Sequence, residues 1–401
     1  MDIVATFLKK HADQSRSFRL ALSGGPDSLY LYHQLKNCRI NFSVAHVNHR
    51  WRKESDEEAE TLKQLVESDN IPFHLSTIES GIKSENEARN YRRQFFLKLC
   101  KKHNFQAVMT AHHYDDQVET VLKRVFEGAA LENLAGMMSV QKACELTLWR
   151  PLLSVKKSEI LNWLESRKID AFSDHTNHDL RYTRARLRKI IPELSHQFQK
   201  EIAPSFFHIG AEAALLKEYL EEKVSPLLEL AIKADWGTFF DFSSVKPHPL
   251  ELKHLLRMTS KLSRDQLRVA LQLIMENAAN KKVGNLIIDR SRLFVLHSSL
   301  PVDWTVIEEP CDQFEAPTDW RDVWKGKMSV TLPRGAYKVI PINQKDAAPF
   351  KKRWNSMKVP AFLYHSAPLI VQNEKIAHEF LTGRQQTTHP PFMKLTLLPK
   401  D

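Results

Sequence analysis

Cysteine is scarce in this 401-residue chain, and its four copies, Cys38, Cys100, Cys144 and Cys311, stand far apart with no CxxC pair. That excludes a disulfide framework and a cysteine-built zinc module, and it predicts reduced thiols in a cytoplasmic protein. Apolar runs long enough to cross a bilayer are missing, so a membrane-spanning helix is not expected. The opening "MDIVATFLKKHADQ" turns polar too early for a secretion signal and reads as a short amphipathic helix. Glycine and proline together number only 30, which excludes fibrous and low-complexity chains. No internal repeat of about 20–50 residues occurs. The Walker sequence GxxxxGK(S/T) is absent as well. No loop lysine is therefore available to neutralise a bound phosphate.

What remains is a globular composition, 42% hydrophobic and 26% charged, on a chain long enough for two or three cored domains. Net charge is +10, which points to a polyanionic partner, nucleic acid first.

The stretch "LALSGGPDSLYL" (20–31) joins a buried strand to a helix. Pro26 suits the first helical turn, where its missing N–H costs nothing. Gly24 and Gly25 let the backbone approach a ligand, and the free N–H groups of the helix start favour an anion. Asp27 sits beside that anion site. A carboxylate beside phosphate is repulsive unless a cation lies between them, so Mg²⁺ is implied.

Strand patterns at 18–22, 41–47, 72–77, 106–111 and 145–149 alternate with helical ones at 26–37, 52–69, 85–104 and 113–127. This predicts an α/β domain with a doubly wound parallel sheet, whose ligands sit at the carboxyl ends of the strands. Those ends carry "SGGPDS", "AHVNHRWR" (His46, His49, Arg50, Arg52) and "TAHHYDDQVET" (His112, His113, Asp115, Asp116, Glu119). Histidines at two of these ends raise the question of zinc, but hydrogen bonding to a nucleotide is the commoner use. A helix beginning near Thr183 places Arg184 and Arg188 on one face and Arg186 on another. Residues 196–235 and 247–279 read as amphipathic helices, 283–297 as a hairpin, and 327–401 as short strands around one basic helix. The expected domains are 1–204, catalytic; 205–310, mainly helical; 311–326, a linker; and 327–401, a small α+β domain.

"SGGPDS" is similar to the SGGxDS loop of the PP-loop ATP pyrophosphatases. "HVNHRWR", "TAHHYDDQVETVLKRVFEGAALENLAGM", "RPLL", "DHTNHDLRYTRARLRKIIP" and the C-terminal "PFKKRWNSMKVPAFLYHSAPLIVQNEKI" resemble the tRNA(Ile)-lysidine synthetase family. Arg50-Trp51, Arg92-Arg93 and Arg184-Ala185-Arg186 depart from that family's usual pattern. The resemblance implies ATP-dependent joining of L-lysine to C2 of the wobble cytidine of a tRNA(Ile) with a CAU anticodon. The base is first adenylated, and lysine then displaces AMP. Under that reading Ser23, Gly24, Gly25, Pro26, Asp27, Ser28 and His46 hold ATP, and Asp27 with Asp115 or Asp116, the latter preferred, holds Mg²⁺. Asp27, His112, Asp115, Asp116 and Glu119 perform the chemistry. Arg184, Arg186 and Arg188 contact tRNA, as do Lys351, Lys352 and Arg353. A homodimer stays open. The alternatives are a PP-loop tRNA thiolation enzyme, which scattered cysteines disfavour, and an RNA-binding protein that has kept only the fold.

Overall fold

The computed structural model describes residues 3–13, 15–50, 54–78, 85–143, 145–172, 183–300, 304–311, 319–326, 328–342, 348–364, 367–382 and 392–399. Cys144, Trp51, Arg52 and the segment 174–182, which carried part of the resemblance, lie outside them. The chain divides into two units, Met1–Glu218 and Tyr219–Asp401.

The first unit opens with α1 (Ile3–His11), β1 (Phe18–Ala21), α2 (Pro26–Asn37), β2 (Phe42–Asn48), α3 (Ser55–Ser68), β3 (Phe73–Thr77) and α4 (Glu85–His103). It continues with β4 (Val108–Met109), α5 (Tyr114–Phe126), β5 (Val140–Ala143), β6 (Leu146–Trp149), α6 (Lys157–Ser166) and α7 (Thr183–Gln197), and α8 (Ala203–Glu229) runs across the boundary at residue 218. The sheet order is β3-β2-β1-β4-β6-β5. All neighbours are parallel except the β5–β6 pair at the edge. The antiparallel β5 was not apparent from the sequence pattern.

Period-two alternation explains the layering. Phe18 and Leu20 of β1 point into a core shared with Val4, Leu31, Leu62 and Ile160 from α1, α2, α3 and α6. Ala21, in the opposite phase, packs on the other face with Phe96, Leu97 and Cys100 of α4. Helices thus cover both faces, as a parallel sheet requires. Strand order reverses between β1 and β4, so the segments after these two strands open side by side at the carboxyl edge.

The second unit holds a five-stranded antiparallel sheet ordered β7 (Ile232–Ala234), β8 (Gly237–Asp241), β11 (Arg292–Leu296), β10 (Leu286–Asp289), β9 (Lys281–Val283). Helices α9 (Pro249–Thr259) and α10 (Arg264–Met275) accompany it. The amphipathic stretch 247–279 is split into these two because Ser263 caps α10: its hydroxyl accepts from the Gln266 N–H at 3.3 Å. Strand β7 lies in a stretch whose pattern reads as helix; it is three residues long and only partly buried, too short to show an alternation.

Beyond it come β12 (Trp304–Cys311), α11 (Trp320–Lys325), β13 (Met328–Pro333), β14 (Lys338–Pro341), α12 (Lys351–Ser356), β15 (Pro368–Gln372), β16 (Lys375–Glu379) and β17 (Phe392–Pro399), forming two three-stranded sheets. Helix α11, inside the stretch read as a linker, buries Trp320 and Trp324. They share one core with Phe239 and Phe294 of the five-stranded sheet and with Trp354 and Leu395 further on.

Candidate active site

The loop after β1 is shaped from within. Gly24 has φ +85°, and a Cβ there would lie 2.4 Å from the Phe172 ring, so only glycine fits. The Phe172 N–H also donates to the Gly24 carbonyl at 3.1 Å. Ser28 folds the loop: its hydroxyl accepts from the N–H groups of Ser23 (3.2 Å) and Gly24 (3.1 Å) and donates to the Gly25 carbonyl (2.9 Å). The hydroxyl expected to face phosphate is thus turned inward as a brace. Gly25 is the N-cap of α2 and Pro26 its first residue, which leaves the N–H groups of Asp27 and Ser28 without helical acceptors. His46 closes the loop from β2, with Nδ1 2.8 Å from the Leu22 carbonyl oxygen. Burial pulls its pKa down.

Three carboxylates converge on one imidazole. His113 is the N-cap of α5, and its N–H donates to Asp116 Oδ2 at 3.1 Å. Its buried ring has Nε2 3.7 Å from Asp27 Oδ1 and 3.5 Å from Asp116 Oδ2, with Nδ1 3.4 Å from Asp115 Oδ2. Burial alone would lower its pKa; Asp115, Asp116 and Asp27 outweigh that and raise it. Lys157, at the start of α6, completes the cluster. Its ammonium lies 2.5 Å from Asp27 Oδ1, and its backbone N–H donates to Asp115 Oδ2 at 2.8 Å.

Sequence reasoning singled out neither Lys157 nor the central position of His113. The available clue for Lys157 was its place at a helix start just after β6, another strand end at the same edge. His112 and His113 are told apart only by which way each ring turns.

His112 has a different partner. Its Nδ1 is 2.9 Å from Thr110 Oγ1. Burial drives its pKa down to about 4; Asp116 opposes, while Arg150, Arg184 and His113 assist. The ring is therefore neutral near pH 7. Glu119 is 2% exposed, and its Oε1 accepts from Arg188 Nε at 2.6 Å. Arg188 Nη2 also lies 3.8 Å from Asp116 Oδ1. Glu119 Oε2 is buried without a hydrogen-bond partner among the described residues. Burial raises the Glu119 pKa against the pull of Arg188.

The structure thus brings Asp27, His112, Asp115, Asp116, Glu119 and Arg188 together with His113 and Lys157. Arg184 and Arg186 lie exposed on α7. In the second unit, Lys351 and Lys352 are exposed, whereas Arg353 leans on Glu379 at 3.8 Å and Trp354 is fully buried. Trp354 is core rather than a stacking surface.

His49 is held down to about 4 by burial, then by Arg92 and His46. No group of three or more His, Cys, Asp and Glu is disposed to hold a metal among the described residues. Mg²⁺ asks for less: one or two carboxylates, with phosphate and water oxygens completing its shell. Asp27, Asp115 and Asp116 meet that requirement.

Comparison with known proteins agrees with this geometry. A PP-loop domain family matches residues 2–194. The tRNA(Ile)-lysidine synthase of Protochlamydia amoebophila is 36% identical over 96% of this chain and 93% of its own length. That of Chlamydia muridarum is 41% identical over 57% of this chain and 73% of its own. By the nearly full-length match and by the loop and carboxylate cluster that the fold assembles, this chain belongs to the tRNA(Ile)-lysidine synthase family.

Proposed function

We propose that the carboxyl edge of the parallel sheet adenylates the wobble cytidine of a CAU-anticodon tRNA(Ile) and then joins L-lysine to it. The protein is an ATP-dependent ligase acting on tRNA(Ile). The supporting observation is the cluster of Asp27, Asp115 and Asp116 around His113, closed by Lys157, beside the Gly24–Gly25 loop.

In the first step the C2 oxygen of the base attacks the α-phosphorus of ATP and pyrophosphate leaves. Such a transfer needs positioning and charge neutralisation more than covalent help. Gly24 and Gly25 admit the phosphates to the helix start. Asp27 and Asp116 would hold Mg²⁺, with Asp115 beside them; when bound, the ion supplies charge neutralisation on the phosphates. Lys157 provides the cation that the loop itself lacks. Neutral His112 donates from Nε2 to negative charge developing on the phosphoryl oxygens, its Nδ1 being occupied by Thr110.

In the second step the ε-amine of lysine attacks C2 and AMP leaves. Glu119 Oε2 orients the lysine ammonium and takes its proton, while Arg188 fixes the other oxygen. Arg184, Arg186 and Arg188, with Lys351, Lys352 and Arg353, contact tRNA. In this reading 1–204 is catalytic, 205–310 and 327–401 bind tRNA, and 311–326 joins them. A cytoplasmic location and a homodimer belong to the same reading.

The test is direct. Incubation with ATP, radiolabelled lysine and transcripts of CAU-anticodon tRNAs should place label on tRNA(Ile). Pyrophosphate release without labelled RNA would overturn the lysine assignment.

A further inference from the structure

Arg19 is an unusual residue for the centre of a parallel sheet. It lies in β1 between Phe18 and Leu20 and is fully buried. Its Nε donates to the hydroxyl of Ser43, its register partner on β2, at 3.2 Å. Its guanidinium carbon sits 4.1 Å from the centroid of the Phe105 ring. Nη1 and Nη2 are buried with no hydrogen-bond partner among the described residues. A buried guanidinium whose outer donors lack acceptors is strongly unfavourable unless an anion completes it.

Both Ser43 and Phe105 line a cleft of about 690 Å³, together with His74, His103, Lys36 and Arg39. The cleft is at the amino edge of the sheet: Ser17 precedes β1, Pro72 precedes β3, and Phe105 precedes β4. It is therefore on the side of the sheet opposite the Leu22–Gly25 loop. Asp69, the only carboxylate lining it among the described residues, is already taken by Lys36 at 2.6 Å and by the Tyr32 hydroxyl. The His74 and His103 rings lie 5.4 Å apart. Burial, then Arg19, His103 and Lys102, holds His74 down to about 4, as expected where positive charge gathers without a counter-charge.

We propose that this cleft, backed by Arg19 and Ser43 and rimmed by His74 and His103, binds a phosphate group. Arg19 stands directly behind the Ser43 and Phe105 walls and supplies positive charge at short range, while the Ser43 hydroxyl, the imidazoles and the Arg39 fork offer donors to the phosphate oxygens. The phosphate comes either from the free anion or from a phosphodiester of the bound tRNA.

The full chain, with its nucleotide site saturated by a non-hydrolysable ATP analogue, is titrated with inorganic phosphate by calorimetry. Saturable binding is expected, weakened at least about tenfold in Arg19→Met, with analogue binding unchanged. Labelled His74 should titrate at higher pH when phosphate is present. Where tRNA displaces phosphate competitively, the tRNA backbone is the source; where both bind independently, it is the free anion. Should Arg19→Met fail to fold, the double variant His74→Ala/His103→Ala must weaken phosphate binding instead. Absence of saturable binding in the presence of the analogue, or wild-type binding by a folded variant, overturns the assignment.

Discussion

The ammonium of Lys157 lies 2.5 Å from Asp27 Oδ1, although 130 residues separate them in the chain. The PP-loop carries an acid and no lysine, and the fold brings the missing cation from the start of α6. Replacing Lys157 by Met should slow adenylation by about 100- to 1,000-fold, the range for one preorganised electrostatic donor. Lys157→Arg should keep most of the rate. Pyrophosphate release in the presence of tRNA measures both, and an unaltered rate in Lys157→Met would remove this residue from phosphate handling.

Asp27→Ala should abolish adenylation while the fold survives. The Asp27 side chain is 29% exposed, so it adds little to the core. Circular dichroism checks the fold and pyrophosphate release checks the chemistry. A folded variant with normal release would show that Asp27 holds no cation.

Glu119→Gln should separate the two half-reactions. ATP should still be consumed with tRNA present, because the cluster around His113 is untouched, but lysine transfer should fall by about 100-fold or more. Equal loss in both steps would place Glu119 with the nucleotide instead. Arg188→Ala leaves buried Glu119 Oε1 without its partner and should cost about 1–3 kcal/mol of stability.

The two adjacent histidines should respond to pH in opposite senses. His112 is pulled from 6.5 to about 4, so the unfolded chain takes up a proton that the folded chain refuses. The stability this contributes is present above about pH 6.5 and is lost as pH falls toward 4, by up to about 1.4 kcal/mol per pH unit. His113 is raised above 6.5. Its contribution is full below 6.5 and is lost as pH climbs through the folded value. Denaturant unfolding should therefore show less acid destabilisation in His112→Asn and less alkaline destabilisation in His113→Asn. Parallel profiles for both variants would contradict the assigned surroundings.

Lys351→Ala and Lys352→Ala should each lower the log–log salt slope of tRNA binding by roughly one unit if each meets a phosphate. Both side chains are exposed, so neither change should disturb folding. Deleting 325–401 would be a poor substitute, because Trp354 and Leu395 share a core with Phe239 and Phe294. Unchanged slopes in both lysine variants would remove this helix from the tRNA contact.

Much of the first unit was legible because local rules decide it. The apolar run at 18–22, Pro26 after two glycines, and regular strand–helix alternation fix the loop and the edge at which ligands bind. The short β5 and β7 were not legible, since three or four residues carry too little pattern to outvote their neighbours. The sequence alone determined which residue types would meet at that edge: glycines, aspartates, histidines and Glu119. Only the tertiary structure decided which imidazole the carboxylates surround, that Ser28 turns inward, that Lys157 reaches Asp27, and that the buried Arg19 guanidinium packs on Phe105 beside Ser43. Those outcomes depend on side-chain direction and on contacts across more than a hundred residues, and no local preference of the chain encodes either.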